Sequence, residues 1–119
     1  MTPDGWARDR RGWYVRDDGT SYRIARRLPA VWDVSATTRL PDLGRRRLAH
    51  AVRQDLWRML QRLRGFAPMV CVTRDAEGTV VRAGGQVAGR VPATTRDRIA
   101  ALLHDPGTRA AWTAAARHR

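Results

Sequence analysis

Leu43-Gly44-Arg45-Arg46-Arg47-Leu48-Ala49-His50-Ala51-Val52-Arg53-Gln54-Asp55-Leu56-Trp57-Arg58-Met59-Leu60-Gln61-Arg62-Leu63-Arg64 is the stretch that organises this chain. Leu48, Val52, Leu56, Met59, Leu60 and Leu63 recur at steps of three and four, which places them on one face of a helix. At 3.6 residues per turn the segment makes about six turns, long enough to carry one side of a small core. Asp42, just after Pro41, is positioned as its N-cap. Gly65 supplies a C-terminal stop, Phe66 can fold back on the last turn, and Pro68 prevents continuation.

On the N-terminal side, Gly12 to Ile24 holds two short alternating runs around Asp17-Asp18-Gly19. It reads as a β-hairpin with Trp13, Val15, Tyr22 and Ile24 on one face and Tyr14, Arg16 and Arg23 on the other. Residues 28–41, bounded by prolines, suit a connector with one short extended piece around Val31 to Val34, anchored by Trp32. Residues 1–11 read as a flexible, basic N-terminal arm.

On the C-terminal side, Met69 to Arg74 and Thr79 to Ala83 form a second hairpin turning at Asp75-Ala76-Glu77-Gly78, with Gly84 to Gly89 as a loop or irregular strand end. A Thr94 or Thr95 cap opens a helix through Ile99, Leu102 and Leu103. Asp105-Pro106-Gly107 breaks it, and a last helix carries Trp112 to the basic end. The expected fold class is α+β, a single domain over 1–119: two antiparallel hairpins, in one small sheet or two, packed on a long amphipathic helix with a short C-terminal helical pair.

Twenty-three of the 119 residues are arginine, none is lysine, and the formal net charge is +12. Base composition of the gene explains arginine in place of lysine. It does not explain 23 basic against 11 acidic residues, and that imbalance calls for a polyanionic partner. Residues 45–64 hold seven arginines and one aspartate, a net +6 and half of the total. On the helix, Arg46, His50, Arg53, Trp57, Gln61 and Arg64 form a stripe beside the apolar face, and Arg47, Arg58 and Arg62 lie beyond it. Such a helix can run along phosphates, with Trp57 stacking or wedging. Tyr14, Arg16 and Arg23 make a second basic and aromatic surface on the hairpin. The same stripes also serve as an ordinary solvated face, since arginine stems cover apolar edges.

Absence of lysine excludes a P-loop lysine and a lysine Schiff base. His50, His104, His118 and Cys71 lack zinc-ligand spacing, so neither a metal nor another cofactor is expected. Cys71, in an apolar run, reads as a small buried hydrophobe. Asp17-Asp18 and Asp75/Glu77 sit at turns, where carboxylates serve backbone geometry. No catalytic centre is expected. Gly84-Gly85-Gln86 is similar to the tripeptide with which release factors and related peptidyl-tRNA hydrolases set a glutamine against an ester, where glycine permits close approach. The likeness covers three residues. Val87 and Ala88 follow directly, where that family continues with Val and Asn one residue later, and a turn at a strand end is the plainer reading.

No apolar run has signal-peptide length or the roughly 20 residues of a membrane span, which suggests a cytoplasmic protein. The expected function is a small non-enzymatic nucleic-acid-binding protein, with RNA or ribonucleoprotein slightly favoured over DNA. The contacts are expected from Arg46, Arg47, Arg53, Trp57, Arg58, Arg62 and Arg64 of the helix and Tyr14, Arg16 and Arg23 of the hairpin. The alternative is an accessory protein that docks on an acidic protein surface through arginine and tryptophan. A membrane surface is less favoured, because the apolar face of the helix is needed for the core.

Overall fold

The computed structural model describes residues 5–118. Its elements run β1 (Ala7–Arg8), β2 (Tyr14–Asp17), β3 (Ser21–Ala25), β4 (Val34–Leu40), α1 (Arg45–Leu60), β5 (Ala67–Asp75), β6 (Gly78–Gln86), α2 (Thr95–His104) and α3 (Pro106–Ala116). The strands form one six-stranded antiparallel sheet in the order β1-β2-β3-β5-β6-β4, so the fold is mixed α+β. After the β2–β3 hairpin the chain crosses to the far edge as β4. It then returns through α1 to place β5 beside β3, and β6 closes the gap to β4.

Side-chain alternation gives the sheet two unlike faces. In register, Val15, Ile24, Val70, Ala83 and Ala36 form one row, and Tyr22, Val72, Val81 and Thr38 the next. These residues face the helices. Leu48, Val52, Leu56 and Leu60 of α1, Ile99 and Leu103 of α2, and Trp112 and Ala116 of α3 join them in one buried cluster. The apolar face expected for the long helix is therefore the face in the core, with Met59 and Leu63 at its margin. On the other face, Trp6, Ala25 and Met69 make a smaller cluster with Tyr14, Leu28, Ala30 and Trp32, so the β3–β4 connector covers one end of that face.

Several boundaries differ from the expectation. The helix is shorter at both ends, Arg45–Leu60, and its N-cap is Gly44, with no side-chain hydrogen bond. Asp42 does not cap it, because its carboxylate takes Arg74 Nε at 2.9 Å and His118 Nε2 at 3.1 Å. The connector holds a seven-residue strand, β4, later and longer than the extended piece expected at Val31 to Val34. Val34, Ala36, Thr38 and Leu40 point inward and are buried. The basic arm is partly sheet, since Ala7 and Arg8 pair with Val15 and Tyr14 and Trp6 is buried; residues 1–4 of that expectation lie outside the described residues. Cys71 is half-buried on the face away from α1 rather than in the core.

Gly84-Gly85-Gln86 is the last part of β6, the strand end of the two alternatives expected for it. A Cβ on Gly84 would lie 2.0 Å from the Val34 carbonyl oxygen, and one on Gly85 would lie 2.1 Å from that of Ala67. The glycines let neighbouring strands approach, and Gln86 Nε2 donates to the Pro29 carbonyl at 3.0 Å. Among the described residues no helix is long and apolar enough to cross a membrane.

At the β5–β6 turn, Arg39 grips Asp75 through two hydrogen bonds of 2.7 and 2.8 Å. These bonds, with the Glu77 amide, hold the Asp75 pKa down at about 2. The folded state thus binds fewer protons than the unfolded chain between about pH 4 and 2. The contribution of the pair is complete above that window and is lost as pH falls through it. Asp75→Asn should flatten the dependence of the denaturant midpoint on pH between 5 and 2; a variant as acid-sensitive as the parent would contradict this. The pair is exposed, so the effect is small.

Candidate functional site

The sheet divides the expected site residues into two groups, although Tyr14 and Trp57 line one cleft together. Tyr14, Arg16 and Arg23 lie on the open face, and the α1 residues lie over the other. On the open face Arg16 stands directly opposite Arg23, followed in register by Cys71, Arg82 and Thr37. Arg82, not picked out from the sequence, completes this row. Its guanidinium lies 4.3 Å from the Trp32 ring and donates to Ser35 Oγ at 3.0 Å. Arg8 lies 5.9 Å from the Tyr14 ring. No carboxylate stands in the row. Asp18, in the nearby turn, accepts from the Thr20 and Ser21 amides at 3.0 and 2.7 Å. Those bonds, then the charges of Arg16 and Arg23, lower its pKa.

The stripe on α1 has been divided. Arg53 is half-buried with its guanidinium 4.6 Å from the Trp13 ring, while Arg26 lies 5.3 Å from the same ring. Burial, then the charge of Arg11, lowers the Arg53 pKa. His50 Nε2 and the Tyr22 hydroxyl are hydrogen-bonded at 3.0 Å. Burial, then the charges of Arg53 and Arg46, lowers the pKa of His50. Arg53 and His50 therefore fasten α1 to the first hairpin. Arg53, expected as a phosphate contact, lies half-buried against the Trp13 ring.

Arg46 and Arg47 remain exposed at the start of α1, Arg58 and Arg62 near its end, and Arg64 in the turn that follows. Arg58 and Arg62 share a shallow cleft with Gln61 and Arg98. Trp57 is 39% exposed.

A further cluster surrounds the first turn of α1. Arg45, Arg46, Arg47, Arg74, Arg117 and His118 line one cleft there, together with Asp17 and Gly44. No acidic residue lies in that turn. Arg45 is held by Asp17 at 2.8 Å and Arg74 by Asp42. Cations at the positive end of a helix are unfavourable, and the first amides of α1 have no side-chain cap. Arg74, Arg117 and His118 escape sequence reasoning because about 70 residues separate the ends of this cluster.

Among the described residues, carboxylates lie within 4.0 Å of Arg39, Arg45, Arg58 and Arg74 alone of the arginines. Among the described residues the large exposed hydrophobic residues are Val31 and Trp57. Among the described residues no group of His, Cys, Asp and Glu side chains could hold a metal ion. Comparison with family models, curated proteins and solved structures finds no match.

Proposed function

We propose that this protein is a small, non-enzymatic nucleic-acid-binding protein that holds phosphates with arginines on the open sheet face and at the start of α1, with RNA favoured over duplex DNA. The observation that carries this reading is the row Arg16, Arg23 and Arg82, where Arg16 directly faces Arg23, Arg82 follows across Cys71, and no carboxylate stands in the row. Directly opposed like charges weaken a sheet. A phosphate backbone turns the same arrangement into attraction and gains the entropy of released counterions. The uncapped, arginine-rich first turn of α1 adds backbone donors suited to the same groups.

Preference for RNA rests on the shape of the surface. The apolar face of α1 is committed to the core. The open face is a strand platform on which Arg16, Arg23 and Arg82 stand clear of the helices, a surface that a flexible single strand can follow. The carboxylates with the best prospects for acid–base chemistry are otherwise engaged: Asp17 with Arg45, Asp18 with turn amides, and Asp75 with Arg39.

An acidic protein partner would call for a contiguous apolar patch within the basic surface. Trp112 is buried and Arg82 covers Trp32; Trp57 is exposed, but it shares its cleft with Arg8, Arg26 and Arg27 rather than with an apolar patch, which favours a polyanion over a protein. The test is anisotropy of short labelled single-stranded RNA, duplex RNA and duplex DNA, with polyglutamate as the competing polyanion. Micromolar or tighter RNA binding at physiological salt, not displaced by equivalent polyglutamate, is expected. No binding, or equal affinity for polyglutamate, would overturn the proposal.

A further inference from the structure

We infer that the cleft between α1 and the first hairpin receives an unpaired nucleobase, stacked on Trp57, and so selects single-stranded over duplex nucleic acid. This rests on the nucleic-acid reading above and adds to it the form of the ligand. Five tryptophans are present in the chain, and four of them are engaged within the fold. Trp6 is buried, and Trp112 is buried with its indole N–H donating to Asp55 at 2.7 Å. Trp13 lies against Arg26 and Arg53, and Trp32 lies against Arg82. Trp57 is the exposed tryptophan, and among the described residues no guanidinium is stacked on it.

Its surroundings are those of a base site rather than of an apolar docking patch. Trp57 and Phe66 line a cleft of about 410 Å³ with Tyr14, Arg8, Arg26 and Arg27. That volume lies in the range of small-ligand sites. Phe66 is buried, with part of its surface lining the cleft. Arg26 is fixed by a 2.8 Å bond to the Gly12 carbonyl, and Gly12, with φ near +81°, leaves room for the Arg26 and Arg8 guanidiniums beside it. Arg27 is exposed, and among the described residues it has no carboxylate partner. An indole face with guanidiniums around it offers stacking for a base and charge for its phosphates. A base held in a duplex cannot enter the cleft without first leaving its stack.

The test compares the full chain with Trp57→Ala and Trp57→Phe on a short single-stranded RNA, its DNA equivalent, and the RNA duplex of the same sequence, at one salt concentration. Thermal melting confirms that each variant is folded. Loss of one stacked base corresponds to about 5- to 150-fold in affinity. Trp57→Ala should lose affinity in that range for both single strands and less than about twofold for the duplex. Trp57→Phe should recover most of the loss. If Trp57→Ala binds single strands as the parent does, or weakens single strands and duplex equally, the base site is overturned while phosphate binding stands. If the parent chain binds no nucleic acid at all, the functional reading itself has failed.

Discussion

Trp112→Ala is expected to lower stability by about 3–5 kcal/mol, the largest single-residue effect in this fold. Trp112 is 2% exposed and lies in the cluster where α3 meets α1 and the sheet. Truncation removes a full aromatic burial and leaves a cavity that backbone anchored on both sides cannot fill. It also strips Asp55 of the indole N–H that it accepts at 2.7 Å, leaving Arg58 at 3.8 Å as the partner of that carboxylate. A domain of this size is stable by about 5–15 kcal/mol, so much of the margin would go and the melting temperature should fall by about 10–25 °C. Trp112→Phe retains most of the packing and should lose about 1–2 kcal/mol. Circular dichroism melts of both variants check this. A Trp112→Ala midpoint within a few degrees of the parent would mean that α3 is not part of the cooperative core.

Neutralising the opposed arginines is expected to move binding and stability in opposite directions. Arg16 and Arg23 face each other across β2 and β3, where like charges cost about 0.2–1 kcal/mol. Arg23→Gln should therefore raise the denaturant midpoint slightly. In Arg16→Gln/Arg23→Gln, two charge-assisted phosphate contacts disappear at about 1.5 kcal/mol each, so RNA affinity should fall roughly 100-fold. Arrangements that weaken the free protein and strengthen its complex mark a binding surface. Loss of stability together with loss of binding would instead mark these arginines as parts of the fold.

Where the determinants are local, the fold was readable from the residues. Spacing alone located the buried face of α1, Leu48, Val52, Leu56 and Leu60. The break between α2 and α3 followed from Asp105-Pro106, and Asp105 does accept from the Thr108 amide at 2.8 Å. β4 escaped notice because its inward residues, Val34, Ala36, Thr38 and Leu40, are modest in size and lie between prolines, although they alternate as a strand requires. β1 is two residues long and exists by pairing alone. The union of the strands in one sheet is a long-range outcome that no local window contains.

The candidate interface was legible to the same depth. Alternation placed Tyr14, Arg16 and Arg23 on one face of the first hairpin, and they do lie on the open face. Arg82 alternates outward between Val81 and Ala83 in the same way, but its place beside Arg23 depends on β5 lying between them. The contact of Arg53 with Trp13 was not legible, because a helical wheel shows which residues share a stripe and not which strand the stripe will meet. Trp13 met it, and the Arg53 guanidinium lies 4.6 Å from that ring.

The central claim is that the open sheet face, rather than net charge alone, holds the phosphates. The most direct test compares two double variants of equal charge, Arg16→Gln/Arg23→Gln on that face and Arg90→Gln/Arg96→Gln in the exposed segment before and at the start of α2. For each, the slope of log affinity against log salt is measured on single-stranded RNA. Loss of two phosphate contacts should make the slope shallower by about 1.4 for the first variant, with the second close to the parent. Equal changes in the two variants would contradict the assignment and leave binding as a property of overall charge.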